Sequence, residues 1–480
     1  MSKNNESFLS SIFKFSISTW VNFIIGFFSS FISTRIVSPD IYGLFNIFNT
    51  TVTTVMYITM LGLDSSLFRF YNETPNNENK KIFSFKLIIV SVISTICIAF
   101  IVITLFYEDF STKIYGYVSQ YLVYMTFITV ISNLILRYLN VIYRMTFNAK
   151  QYTIQNILIQ TITRCCIIAA VLLKDSFEFV VLVETLGITV LAIIYLLVQK
   201  KDIFPSKKEI SKEMFTFKGY GEIFKFALFS APTYVIVNLN LFISQQIIRI
   251  KLGSYSLGIY SSASYFITLL NVVNGGFSTF WAAYVYGNYK EQQEKISDMH
   301  NYIVMIITSV FIGMMMFKDI IYILIGDEYR ASKVFVGLIL IPSILDIIAQ
   351  TTMYGISIKK KNYIQLINYF IMIITNFVLS LLLIPYLGMT GVALSGAISS
   401  VILYCLNTYF GQKYYKTIRD NNKSRLMILN ILLIGMINTF VSNQILIVFF
   451  MLVDLLLVFY VFRKETKYLI RIVIKTLQKK

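Results

Sequence analysis

The sequence predicts an all-α polytopic integral membrane protein. Its 480 residues are 56 % hydrophobic and only 14 % charged, more apolar surface than a soluble core of this size can hide. Apolar stretches of 18 or more residues recur from end to end, each long enough to cross a bilayer as helix. These stretches are continuous rather than alternating. In lipid the backbone must be satisfied internally, so helices are selected over an outer-membrane barrel.

Taken in order, spans are expected near 12–36, 41–63, 84–106, 118–142, 152–173, 178–198, 223–247, 257–281, 300–317, 333–356, 362–384, 388–410, 425–441 and 444–462, about fourteen transmembrane helices. The opening MSKNNESFLSSIFKF is polar and amphipathic, not a cleavable signal, and the apolar stretch after it is long enough to span. With the N-terminus inside, 33 of the 42 Lys and Arg fall on inner segments and eight on outer ones. That bias predicts cytoplasmic N- and C-termini. The net charge of +18 is then loop charge held near anionic lipid, not a nucleic-acid footprint.

The longest extramembrane stretch, QKKDIFPSKKEISKEMFTFKGYGE at 199–222, is basic and divides six spans from eight. The expected organisation is an N-terminal six-helix lobe (1–200), a cytoplasmic basic linker (201–222), a C-terminal six-helix lobe (223–415) and a two-helix extension (416–480).

Several function classes drop out. Cys97, Cys165, Cys166 and Cys405 sit in apolar segments without CxxC spacing, which favours structural thiols over a metal or disulfide site. The single histidine, His300, is expected in a polar loop, so no His-based metal or catalytic cluster can form. There is no P-loop and no dinucleotide fingerprint, hence no ATP hydrolysis. A membrane polymerase or glycosyltransferase would need a catalytic acid set and a large outer loop, and neither is visible. The chain is not expected to be an enzyme.

One motif repeats. "RIVSPDIYGLF" (35–45) returns as "RIKLGSYSLGIY" (249–260): a cation, a short turn, a Tyr or Ser, a Gly and an aromatic-rich helix. The copies lie after the first and seventh expected spans. Six intervening spans give both the same orientation, which predicts parallel repeats about an axis along the membrane normal.

These residues also carry a family likeness. "RIVSPDIYGLF", "LGLDSSLFRFYNE" (61–73), "IFKFALFSAPTYV" (223–235) with "LGSYSLGIYSSAS" (252–264), and "ILIGDEYRAS" (323–332) with "IPYLGMTGVALSGAISS" (384–400) occur in order over residues 10–415. Together they resemble the Wzx-type polysaccharide/oligosaccharide flippases of the multidrug/oligosaccharidyl-lipid/polysaccharide exporter superfamily. The first span lacks the mid-membrane arginine of the peptidoglycan-precursor branch. The resemblance implies two six-helix lobes around a central cavity in a bacterial cytoplasmic membrane. It implies undecaprenyl-diphosphate-linked oligosaccharide as cargo for capsule, O-antigen or a related glycan. Other polysaccharide-assembly membrane proteins are the implied partners, with no cofactor beyond a coupling Na+ or H+. The alternative within the superfamily is a cation-coupled multidrug or small-molecule antiporter.

Charged and amide side chains within spans are the candidate site residues, since such groups normally face a cavity or a partner. Arg35 and Arg249 hold equivalent places in the repeat and suit diphosphate oxygens; snorkelling at a helix end is the bland alternative. Asn22 in the first span, and Asn238, Asn240 and Gln245 in the seventh, could hydrogen-bond sugar, or simply pack helices. Asp64 and Arg69 close the second span as a gate or an ion pair. Arg164 and Glu184, on adjacent spans, could neutralise each other. Asp346 with Gln350 four residues on is the best cation-coupling pair. Arg144 and Lys150, after the fourth span, could receive diphosphate at the cytoplasmic side, with positive-inside anchoring as the alternative.

Overall fold

The computed structural model describes residues 20–200, 216–268, 293–359, 361–416 and 422–468, with isolated positions such as Asn274 and Trp281 between them. Among the described residues every regular element is a helix. The chain divides into two compact units, Met1–Ser261 and Ser262–Lys480.

In the first unit α1 (Trp20–Ile36), α2 (Pro39–Met60), α3 (Leu63–Phe70), α4 (Lys80–Leu105), α5 (Tyr107–Tyr115), α6 (Gln120–Met145), α7 (Ala149–Leu173) and α8 (Phe177–Val198) lead to the long α9 (Gly221–Ser262). The second unit holds α10 (Gln293–Leu324), α11 (Val336–Thr352), α12 (Tyr354–Ile358), α13 (Asn362–Leu387), α14 (Met389–Tyr414), α15 (Asn422–Phe440) and α16 (Gln444–Val461).

The starts of several helices are written in the sequence. Asn79, Ser119, Asn148 and Ser176 each accept a backbone N–H of the first turn of α4, α6, α7 and α8, satisfying donors that lipid cannot. Asn443 does the same for α16 with two bonds. Pro39 opens α2, where its missing N–H costs nothing. Within α2 the run NTTVTT stays apolar outwardly because Thr50, Thr51, Thr53 and Thr54 each return their hydroxyl to the carbonyl four residues back.

Among the described residues ten helices are long and apolar enough to span, and twelve if each of two bent pairs is one span. α1 is a shorter apolar helix, and the eighth expected span (257–281) is described over 257–268 and at isolated positions beyond. One bent pair is α2 with α3, meeting at 60°. Leu61 (φ 53°) and Gly62 (φ 74°) make that bend, and glycine is needed because a Cβ at Gly62 would strike the carbonyl of Ala227. The bend puts Asp64 on the first turn of α3, buried.

α6 is the hub of the first unit, packing against α2, α3, α4, α5, α7 and α8. Leu136, Leu139 and Tyr143 of α6 form one core cluster with Ile188, Leu191, Ala192 and Tyr195 of α8. In the second unit α11 plays that part, packed on α10, α14 and α15 and buried along almost its whole length. His300 is not in a loop. It sits fully buried in α10, between the hydroxyls of Thr351 (2.5 Å) and Ser424.

The two copies of the repeated motif touch. Gly253 (φ 87°) breaks α9 where a turn was expected, and the segment beyond it lies against the start of α2. A Cβ on Gly43 would meet the Ser254 carbonyl and lie 2.7 Å from the Gly258 nitrogen. A Cβ on Gly258 would meet the Pro39 carbonyl. Backbone lies on backbone, as small residues allow in membrane helices. By contrast a Cβ on Gly396 would meet nothing within 4 Å. Gly258→Ala should therefore destabilise by about 1–3 kcal/mol, the usual scale for overpacking. Gly396→Ala should be neutral or slightly stabilising; thermal melts in detergent compare them.

Candidate substrate site

The site is built around one arginine. Arg137, on α6, donates from Nε (3.3 Å) and Nη2 (3.2 Å) to Oδ2 of Asp64. The carboxylate is buried and Arg137 is a third exposed. The pair ties α3, set at its angle by the Gly62 bend, to the hub helix. Oδ1 of Asp64 has no hydrogen-bond partner among the described residues, so one oxygen carries the whole interaction.

Arg137 lines two cavities. The first, about 480 Å³, is walled by Asp64, Ser65, Phe68, Arg69, Arg137, Arg144, Ser230 and Tyr234, among others. Three guanidiniums face one carboxylate there. Arg144 lies over the Phe68 ring at 4.9 Å. Arg69 sits over Phe70 and pairs with Glu73 at 2.9 Å, both half-exposed. Exposed pairs of this kind are weak, so Arg69 can exchange Glu73 for another anion at little cost.

The second cavity, about 400 Å³, is polar in another way. Asn49, Asn133, Asn140, Asn156, Gln160 and Thr163 face into it with Tyr57, Arg137 and Glu184. Both volumes fall in the range of small-molecule sites. Tyr57 from this cavity stacks on Tyr234 from the first, at 5.6 Å and 9°. Glu184 is buried and accepts from Asn49 Nδ2 at 3.3 Å, and Arg164 adds electrostatic attraction. Five amides, a hydroxyl and a tyrosine form a surface suited to sugar hydroxyls.

Asp64, Arg69, Arg144 and Glu184 are thus gathered around these cavities, while Lys150 is exposed on the first turn of α7. Sequence reasoning did not single out Arg137 or the asparagines of α6 and α7.

The residues of the repeat lie elsewhere. Arg35 is exposed on the last turn of α1. Arg249 is half-buried and engaged: Nη2 donates to the Lys113 carbonyl, and Nε to Gln246 Oε1 at 3.0 Å, whose own amide donates to the Ile114 carbonyl at 3.3 Å. The cation thereby caps the C-terminus of α5, where unpaired carbonyls and the helix dipole favour positive charge. Asn238 returns its amide to the Tyr234 carbonyl at 2.9 Å. Asn240 is half-buried, and its carbonyl accepts from Ser244. Asn22 Oδ1 and Gln245 Oε1 are buried acceptors with no donor among the described residues. Neither these amides nor Arg35 and Arg249 line the two cavities.

In the second unit the Asp346–Gln350 pairing forms as its spacing required. Gln350 Nε2 donates to Asp346 Oδ2 at 3.2 Å and to Asn274 Oδ1 at 2.9 Å. The Gln350 carbonyl accepts from Trp281 at 2.9 Å.

A family model described as "Polysaccharide biosynthesis protein" matches residues 8–286, more than half of the chain. The chain belongs to that family. No curated protein matches it significantly. Among solved structures this polysaccharide biosynthesis protein is similar to "Lipid II flippase MurJ, inward closed conformation" at 18 % identity, with TM-score 0.68 over 96 % of this chain and 99 % of that one. It is also similar to an inward-facing multidrug resistance MATE family transporter of the MOP superfamily, at 14 % identity, with TM-score 0.53 over 86 % and 95 %. An outward-facing MATE structure gives TM-score 0.51 at 15 % identity over 88 % and 96 %. At these identities the likeness establishes the fold alone, that of a multi-pass helical membrane protein.

Two outcomes follow for this family member. Asp64→Asn and Arg137→Gln should each destabilise, and the double variant should cost little more than either single change. The coupling read from a double-mutant cycle in thermal melts is about 1–3 kcal/mol. Arg249→Ala should loosen α5 by up to about 2 kcal/mol, read as faster hydrogen exchange confined to residues 107–116, with partial recovery in Arg249→Lys.

Proposed function

We propose that the protein flips undecaprenyl-diphosphate-linked oligosaccharide repeat units from the cytoplasmic to the outer leaflet, for capsule, O-antigen or a related surface glycan. The observation that carries this reading is the cavity of Arg69, Arg137 and Arg144 adjoining an amide-lined cavity through a shared arginine.

Flipping breaks no bond. Its barrier is the desolvation of a diphosphate and a hydrated glycan in a low-dielectric layer. Guanidiniums replace water on the phosphates through paired, charge-assisted hydrogen bonds. Arg69 releases Glu73 and Arg144 leaves its ring to take the anion, while Asp64 keeps Arg137 oriented. The asparagines, Gln160 and Thr163 replace water on the sugar. Arg144 and Lys150 supply positive charge at the cytoplasmic mouth. Alternating access, biased by an ion gradient or the membrane potential, then exposes the cargo outside. Asp346, flanked by the Gln350 and Asn274 amides, is the place we assign to a coupling Na+ or H+. A cationic drug as cargo fits less well, because the first cavity would present it with three guanidiniums.

The test is translocation of a lipid-linked oligosaccharide in proteoliposomes. Arg137→Gln and the pair Arg69→Gln/Arg144→Gln should slow it roughly tenfold to hundredfold, the worth of one or two charge-assisted hydrogen bonds. Arg137→Lys should fall between. Unchanged rates in folded variants, or resistance to cationic drugs conferred on expression, would overturn the reading.

A further inference from the structure

A second cationic cavity lies in the other unit, and the reading above does not use it. It is about 480 Å³ and sits where α14 ends and α15 begins, lined by Tyr404, Thr408, Tyr409, Lys413, Lys416 and Arg425. Three cations converge there, and no carboxylate is among its described lining residues. The wall is fixed rather than collapsible. Gln412 donates to the Thr352 carbonyl at 2.9 Å and accepts from the Ile418 N–H at 3.0 Å. Thr408 bonds Thr352 at 2.8 Å. Tyr404, Thr408 and Ile418 are buried beneath, while Tyr409 and the three cations are exposed.

We propose that this cavity binds the phosphate headgroup of an anionic phospholipid. Three features narrow the ligand to that class. Three cations with no acid among the described lining residues favour a phosphate, and basic pockets between helices at a membrane face are suited to anionic headgroups. An apolar track leaves the pocket: Arg425, Leu429, Leu433, Met436 and Phe440 recur at helical spacing along α15, and all are exposed. A headgroup on Arg425 therefore lays its acyl chain along its own helix face. The wall holds a single amide, Gln412, already tied to the Thr352 carbonyl and the Ile418 N–H, where the first unit's cavity presents five amides.

The full-length protein in phosphatidylcholine nanodiscs, titrated with phosphatidylglycerol and followed by native mass spectrometry, tests the assignment. One phosphatidylglycerol should be retained per chain in preference to phosphatidylcholine. Lys413→Gln/Lys416→Gln/Arg425→Gln should weaken retention roughly 100-fold, about fivefold for each cation near an anionic lipid. Arg463→Gln/Lys464→Gln/Lys467→Gln removes the same charge elsewhere on this unit and should leave retention unchanged. If the triple variant unfolds, Arg425→Gln alone should give the fivefold loss. Equal retention by the pocket variant and its parent would overturn the proposal. An equal loss in the control variant would mean diffuse surface attraction and overturn it too. Displacement by millimolar inorganic phosphate would identify a free-anion site, and preferential retention of a polyprenyl phosphate over phosphatidylglycerol would identify the cargo lipid; either would refute a phospholipid site.

Discussion

The Asp64–Arg137 ion pair is the interaction on which the first unit's site depends. Burying a carboxylate in a helical bundle is costly unless a cation meets it. Arg137 meets it, and the cost of separating them fixes α3 against the hub helix α6. Two consequences come from that one contact. The guanidinium is held between two cavities, and the remaining cations, Arg69 and Arg144, are left with partners they can leave: an exposed glutamate and a phenyl ring. An anion arriving there competes with weak interactions, not with the one that holds the bundle together.

Close backbone approach is the complementary constraint. Lipid offers no hydrophobic gain for pressing helices together, so contact rests on packing and on small residues. Gly43 and Gly258 let the two motif copies touch, and Gly62 lets the end of the bent second span lie against Ala227 on α9. Glycine is required at these positions for space, and at Gly62 for its left-handed backbone as well. The Asn and Ser caps serve a related end. They satisfy helix-start donors locally, so the helices need no water there.

The helical membrane fold was legible because its signal is long and redundant. Against about fourteen expected spans the described residues hold ten spanning helices, or twelve with the bent pairs, and one element, Gly221–Ser262, runs from the seventh expected span into the eighth. The bends themselves were not legible. The second span breaks at Leu61–Gly62, and the tenth is preceded by a short tight helix at Asp327–Val334 set 61° off. Arg137 was missed for a related reason. It lies within five residues of the expected inner end of the fourth span, where any cation looks like loop charge, yet the helix runs on to Met145 and carries it on a packed face. His300 was misplaced because polar neighbours such as Glu294, Asp298 and Asn301 disguise the first turns of α10 as loop. Gln350 was legible because four residues on one helix is a geometric certainty once the helix exists.

The arginines, one side-chain type, separate by what faces them. Arg249 is bound to peptide carbonyls at the end of α5, partners that cannot move without unwinding that helix. Arg137 is bound to a buried carboxylate that would be left uncompensated if it departed. Arg69 pairs with the exposed Glu73 and lies over Phe70, and Arg144 lies over Phe68. The motif repeat pointed first to Arg35 and Arg249, because symmetry is what a sequence displays best. Availability is a different property, set by the strength of the competing partner, and it ranks these four arginines in another order: Arg69 and Arg144 to exchange, Arg137 to anchor, Arg249 to cap. The repeat's arginine at 249 then serves the frame, holding α5 to α9 on the unit in which the cavity arginines act.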